Sequence, residues 1–241
     1  MNIEIHPKLI LIKLLYFIFF LFILNFLTII SRFYFGHDVV YGLVPLFNFG
    51  AEKNIPTLYS SLALLTSSLL LMAISLFHKK NGASYYYWLG LSIIFLFLCI
   101  DETAMLHEKL IKPVRTSLNT SGLLYFAWVI PYGLALIVLV ITYMNFLRQL
   151  PKITMILFLV SGATFISGAI GFELFGGRHL QLYGNNNIVY ALFQTCEESL
   201  EMLGIAIFIY TLVKYIVDQF GSFQITLNET KKAEHVPNQI N

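Results

Sequence analysis

The chain has 241 residues, of which 58% are hydrophobic and 12% charged, with a formal net charge of +2. Soluble domains run at roughly 45 to 50% apolar and about 25% charged, so this composition excludes a soluble globular protein, a disordered chain and a nucleic-acid binder. It leaves an all-α integral membrane bundle of about six spans, since each span needs roughly 20 apolar residues. Cys99 and Cys196 both lie inside apolar runs and offer neither zinc-finger spacing nor a disulfide framework.

Six apolar stretches follow one another along the chain. The first, residues 14–31, lies between Lys13 and Arg32 and lacks the small-residue cleavage site of a signal peptide, so it is expected to stay as a helix. The second, 57–77, follows Pro56, which suits a first helical turn, and stops at His78-Lys79-Lys80. The third, 84–100, opens on the interfacial aromatics Tyr85-Tyr86-Tyr87-Trp88 and runs into Asp101-Glu102. The fourth, 121–147, carries Pro131, which predicts a kink or tilt. The fifth spans 153–172, and Glu173, Arg178 and His179 then fall in the loop before the sixth, 188–213. Residues 33–55 read as a lid along the interface. Residues 1–220 thus form one transmembrane domain, and 221–241 a polar tail with a disordered composition.

Basic residues beside the spans set orientation. With the N-terminus inside, nine of the fifteen lysines and arginines fall on the cytoplasmic side, which predicts that both termini are cytoplasmic. The acids divide more sharply. Four lie inside, and nine lie in the outer half: Asp38, Glu52, Asp101, Glu102, Glu108, Glu173, Glu197, Glu198 and Glu201. The small net charge therefore conceals +5 inside and −3 outside.

At about 1.5 Å of rise per residue, Asp101 on the third span and Glu197 and Glu201 on the sixth reach a common depth, inside the hydrocarbon but near its outer edge. On an unbroken helix Asp101 and Glu108 share a stripe, while His107 is offset from Glu108 by about 100°. Glu197 and Glu201 are spaced i and i+4, so two carboxylates can grip one cation from a single face. Each ionised acid near mid-membrane costs about 2.5 to 3.5 kcal/mol or more, so these groups are expected to face the interior and to be protonated, paired or bound to metal, a divalent ion being the simplest remedy. Asp101, His107, Glu197 and Glu201 are the expected ligands, and Glu198 or Glu108 the group taking a proton from bound water. Glu52, Glu102 and Glu173 stand by as further members. Zinc, manganese, magnesium and iron all remain open for this donor set, although no Glu-x-x-His pair of the di-iron type occurs.

Three short motifs carry a resemblance: Glu52-x-Asn54-x-Pro56-Thr57, Asp101-Glu102-x4-His107-Glu108, and Glu197-Glu198-x2-Glu201-Met202-x-Gly204. On these the chain resembles a group of uncharacterised bacterial multi-pass membrane proteins, which implies a plasma-membrane location and no particular activity. In part it also looks like intramembrane metallohydrolases of the alkaline ceramidase and CAAX-protease types. The arginine that follows the glutamate pair in the second type and the paired histidines of the first are absent here. The residues are compatible with three functions. One is a metal-dependent hydrolase or transferase acting on a lipid or other amphiphile, the second a proton- or cation-coupled transporter, and the third a membrane scaffold.

Overall fold

The computed structural model describes residues 6–221, which form helices and turns with no strand among them. In chain order these are α1 (Pro7–Phe33), the short α2 (Leu43–Phe47), α3 (Ile55–Lys80), α4 (Tyr86–Ala104), α5 (Leu106–Leu118) and α6 (Val129–Gln149). Then come α7 (Lys152–Ile166), a π-helical turn (Ser167–Phe172), α8 (Glu173–Tyr183) and α9 (Ile188–Phe220). Six rods are long and apolar enough to cross a membrane: α1, α3, α4, α6, the continuous α7–α8 unit, and α9.

Several boundaries differ from the sequence expectation. The fourth span begins at Val129, after a single 3-10 turn at Gly122–Leu124. Pro131 therefore sits in the first turn of α6, where no N–H is needed, and has no cause to kink the helix. The fifth continues to Tyr183, so Glu173, Arg178 and His179 are helical rather than in a loop, and the sixth extends to Phe220. The lid segment contains α2, packed on α1. The polar tail falls almost wholly outside the described residues.

The ends of the helices follow from local chemistry. Asn54 caps α3, its Oδ1 accepting from the Thr57 N–H at 3.1 Å, while its Nδ2 donates to the carbonyls of Asn48 (2.7 Å) and Ala51 (2.6 Å). The Asn54-x-Pro56-Thr57 motif is thus a helix start that also fastens the preceding loop. Asn187 does the same for α9, accepting from Tyr190 N–H at 2.9 Å and donating to the Gly184 carbonyl.

Helix α9 is the centre of the bundle, in contact with α1, α3, α7 and α8. Of its membrane-length window 61% is buried, against 11% for α6, which is the outlying rod. Glycines set the closest crossing. A Cβ on Gly168 would stand 2.6 Å from the Glu197 carbonyl oxygen, and one on Gly204 would stand 2.7 Å from the Phe165 amide nitrogen. Such small residues let membrane helices approach until their backbones touch. Asn25, 1% exposed on α1, donates to Thr195 Oγ1 at 2.9 Å and accepts from the Phe49 N–H at 2.9 Å, so one amide joins α1, α9 and the loop after α2.

Toward the end that holds the N-terminus, the interior is filled by apolar side chains. Leu64, Leu71, Ile205, Ile209 and Leu212 are each under 5% exposed, and Phe95 stacks on Phe208 with ring centres 4.5 Å apart. Serines and threonines such as Ser68 and Ser92, bonded to each other, are buried there too, whereas the acids of the interior gather at the opposite end.

Candidate functional site

The third span does not pass straight into the acidic segment. It breaks at Met105, whose φ of 52° and ψ of 49° lie in the left-handed region, and α5 restarts at Leu106. The break folds His107 back onto Asp101. One carboxylate oxygen of Asp101 accepts the His107 backbone N–H at 2.8 Å, and the other lies 3.2 Å from Nδ1. Asp101 therefore caps α5 and orients the imidazole at once, and the Tyr132 hydroxyl stands close by. The ring lies against Trp128, 4.9 Å between centres, with Tyr132 beyond. Burial works against the charged imidazole, but the hydrogen bond and charge of Asp101, helped by Glu173 and Glu102, outweigh it and raise the His107 pKa.

A second interruption serves the other side of the site. The π-helical turn widens the α7–α8 rod and shifts the residues that follow around its axis. Glu173, the first residue of α8, comes within hydrogen-bonding reach of Glu197 on α9 and accepts from Trp128 Nε1 at 2.9 Å. Glu198 lies within reach of the charges of Glu102, Glu201, Glu52 and Glu173, and Glu201 within reach of those of Glu102, Glu173, Glu52 and Asp101. Glu52 stands at the rim, exposed on one side and near Glu108 and Glu173. The protein packed around it, then the charge of Glu108, lift its carboxyl above the usual range.

All nine residues singled out from the sequence thus belong to one neighbourhood, built from the loop before α3 and from α4, α5, α8 and α9. They divide into an Asp101–His107 pair, a Glu173–Glu197 pair, a Glu102–Glu198–Glu201 group and the rim acids Glu52 and Glu108. Asp101 was expected as an ion ligand. One of its oxygens accepts the His107 N–H and the other lies beside Nδ1, which sets it behind the imidazole. Among the described residues no lysine or arginine forms an ion pair with these carboxylates. Nor do three His, Cys, Asp or Glu side chains among them stand in ready-made metal-ligand geometry. A cavity of about 310 Å³ at this end, between Arg32, Asp38, Asn48 and Asn185–Asn186, is lined by none of the cluster's acids.

Sequence reasoning passed over Trp128, Tyr132 and Asn25. The two aromatics gave no signal within a chain that is 16% aromatic. Asn25 did, as a lone amide in an apolar span, where a polar side chain bonds across helices.

The molecule is therefore a helical bundle of membrane-spanning dimensions with an acidic site at one end. It belongs to the family described as Domain of unknown function (DUF8692), which matches residues 14–215. No curated protein and no solved structure matches the chain.

Proposed function

We propose that the protein is an intramembrane hydrolase or transferase that uses a divalent cation and acts on an amphiphilic substrate at the acidic end of the bundle. The observation that carries this reading is the Asp101–His107 pair. A carboxylate on Nδ1 fixes the ring and leaves Nε2 for chemistry, the arrangement by which proteins orient a histidine toward an ion or a proton transfer. Trp128 holds Glu173 in the same manner from the other side. His107, Glu173 and Glu197 are then the residues that draw together on the ion, and Glu108 at the rim is the group that accepts a proton from water. The ion would lower the pKa of that water and polarise the bond under attack. Glu102, Glu198 and Glu201 are left to face the substrate.

The same carboxylates would serve a cation-coupled transporter, but alternating access needs a path through the opposite half. That half is packed with Leu64, Leu71, Ile205 and Leu212, each 3% exposed or less. An enzyme served from one side fits this packing better.

Metal analysis of the purified protein tests the proposal. Wild type should retain a divalent ion that a His107→Ala/Glu197→Gln variant loses, and hydrolysis of lipid esters or amides in vesicles should stop with chelator and resume on adding the metal back. Equal absence of metal from both proteins would sink the reading.

A further inference from the structure

We propose that the substrate of this site carries a primary ammonium headgroup, seated between the Ser60 hydroxyl and the carboxylates of Glu102, Glu198 and Glu201. The proposal rests on the hydrolase or transferase reading and names its substrate class.

Charge gives the first reason. The neighbourhood holds eight acids and one histidine, with no lysine or arginine paired to any of the acids among the described residues. A single divalent ion offsets two charges, so most of the excess is left for a cationic ligand. The half beneath is closely packed, with Leu71 and Leu212 both 0% exposed, which favours arrival from the acidic end.

Ser60 gives the second, independent reason. It is 1% exposed, and its Oγ, like the hydroxyls of Tyr59, Thr120 and Ser199, has no hydrogen-bond partner among the described residues; of the four it is the one on a stripe with Leu64. Buried hydroxyls are ordinarily bonded, and its neighbour Ser61 finds Thr103 Oγ1 at 2.8 Å. Helices α3 and α9 run in the same direction, with Leu64 and Ile205 in one apolar cluster. One turn above that contact on each helix stand Ser60 and Glu201. The orphan hydroxyl is thus on the same stripe of α3 as Leu64 and level with Glu201, and we take it as the floor of the acidic group. A primary ammonium has three N–H donors and no acceptor, which suits a floor made of one hydroxyl and three carboxylates.

The walls fit an amphiphile. Trp128 and Tyr132, in edge-to-face contact at 5.1 Å, stand beside His107, and aromatic faces attract ammonium groups. They belong to the start of α6, the least buried span, which meets α4 through ring contacts such as Phe97–Tyr132. A hydrocarbon tail can leave the site between α4 and α6 and remain in lipid.

The test uses the full chain in phosphatidylcholine nanodiscs, titrated with dodecylamine, dodecyltrimethylammonium and dodecanol, both after EDTA treatment and after metal loading. At neutral pH the amine is charged, and it should bind at least about ten-fold more tightly than either other probe. Ser60→Ala should weaken the amine several-fold and leave dodecanol unchanged, and Glu198→Gln/Glu201→Gln should abolish the preference. If the double variant does not elute as a folded protein, the conservative Ser60→Ala decides. Equal affinity for amine and alcohol, equal affinity for amine and trimethylammonium, or an unchanged preference in Ser60→Ala would overturn the proposal. Amine preference without metal or hydrolysis would leave it standing and remove the enzyme reading. Metal-dependent hydrolysis without amine preference would do the reverse.

Discussion

At Asp101 one side chain carries two duties, because the N–H it caps and the ring it orients belong to the same residue, His107. The raised His107 pKa fixes the sign of a pH effect. A cation stabilised by folding contributes fully below the unfolded value of about 6.5, and that contribution is lost as pH rises through the higher folded value. The difference in melting temperature between wild type and His107→Gln, measured on EDTA-treated protein, should therefore be larger near pH 6 than near pH 9. An equal difference at both would mean that the link is not ionic. The residues of this pair were legible in the sequence, but their pairing was not. It depends on a left-handed residue at Met105, and a methionine, unlike Asn119, gives no sequence signal for positive φ. Helical periodicity continued through that point places His107 on the wrong side of the rod.

At the scale of elements, the site depends on how closely the α7–α8 rod crosses α9. A methyl on Gly168 would meet the Glu197 carbonyl oxygen at 2.6 Å and the Glu201 amide nitrogen at 3.1 Å, both backbone atoms that cannot swing aside. Gly168→Ala should force the rods apart and destabilise the fold by about 1 to 3 kcal/mol, read as a lower melting temperature. Gly162→Ala, with nothing within 4 Å of the added atom, should leave it nearly unchanged and serves as the control. The six spans could be read from apolar runs because lipid demands long unbroken helices. Their ends were less legible. Glu173 looked like the close of a span, whereas the helix continues past it, turned by a π-helical segment that apolar periodicity does not encode.

For the whole molecule, the asymmetry of charge is matched by an asymmetry of interior. One end is filled with apolar side chains and the other with carboxylates, and the lysine and arginine bias proposes that the acidic end faces outward. Single cysteines at Lys112 and Lys80, in a Cys99→Ala/Cys196→Ala background, test this sidedness. A membrane-impermeant maleimide applied to intact cells should label position 112 and spare position 80, and the opposite pattern would invert the topology.

The sequence by itself determined the solvent, the number of spans and the set of acids, since each follows from local composition and the length a bilayer requires. Only the tertiary structure decided which acids meet and which of them stands behind His107. It also decided that the Ser60 hydroxyl is buried without a hydrogen-bond partner among the described residues. Those relations are set by two interruptions in the helices and by close glycine contacts, and apart from the Asp101–His107 pair they join elements far apart in the chain.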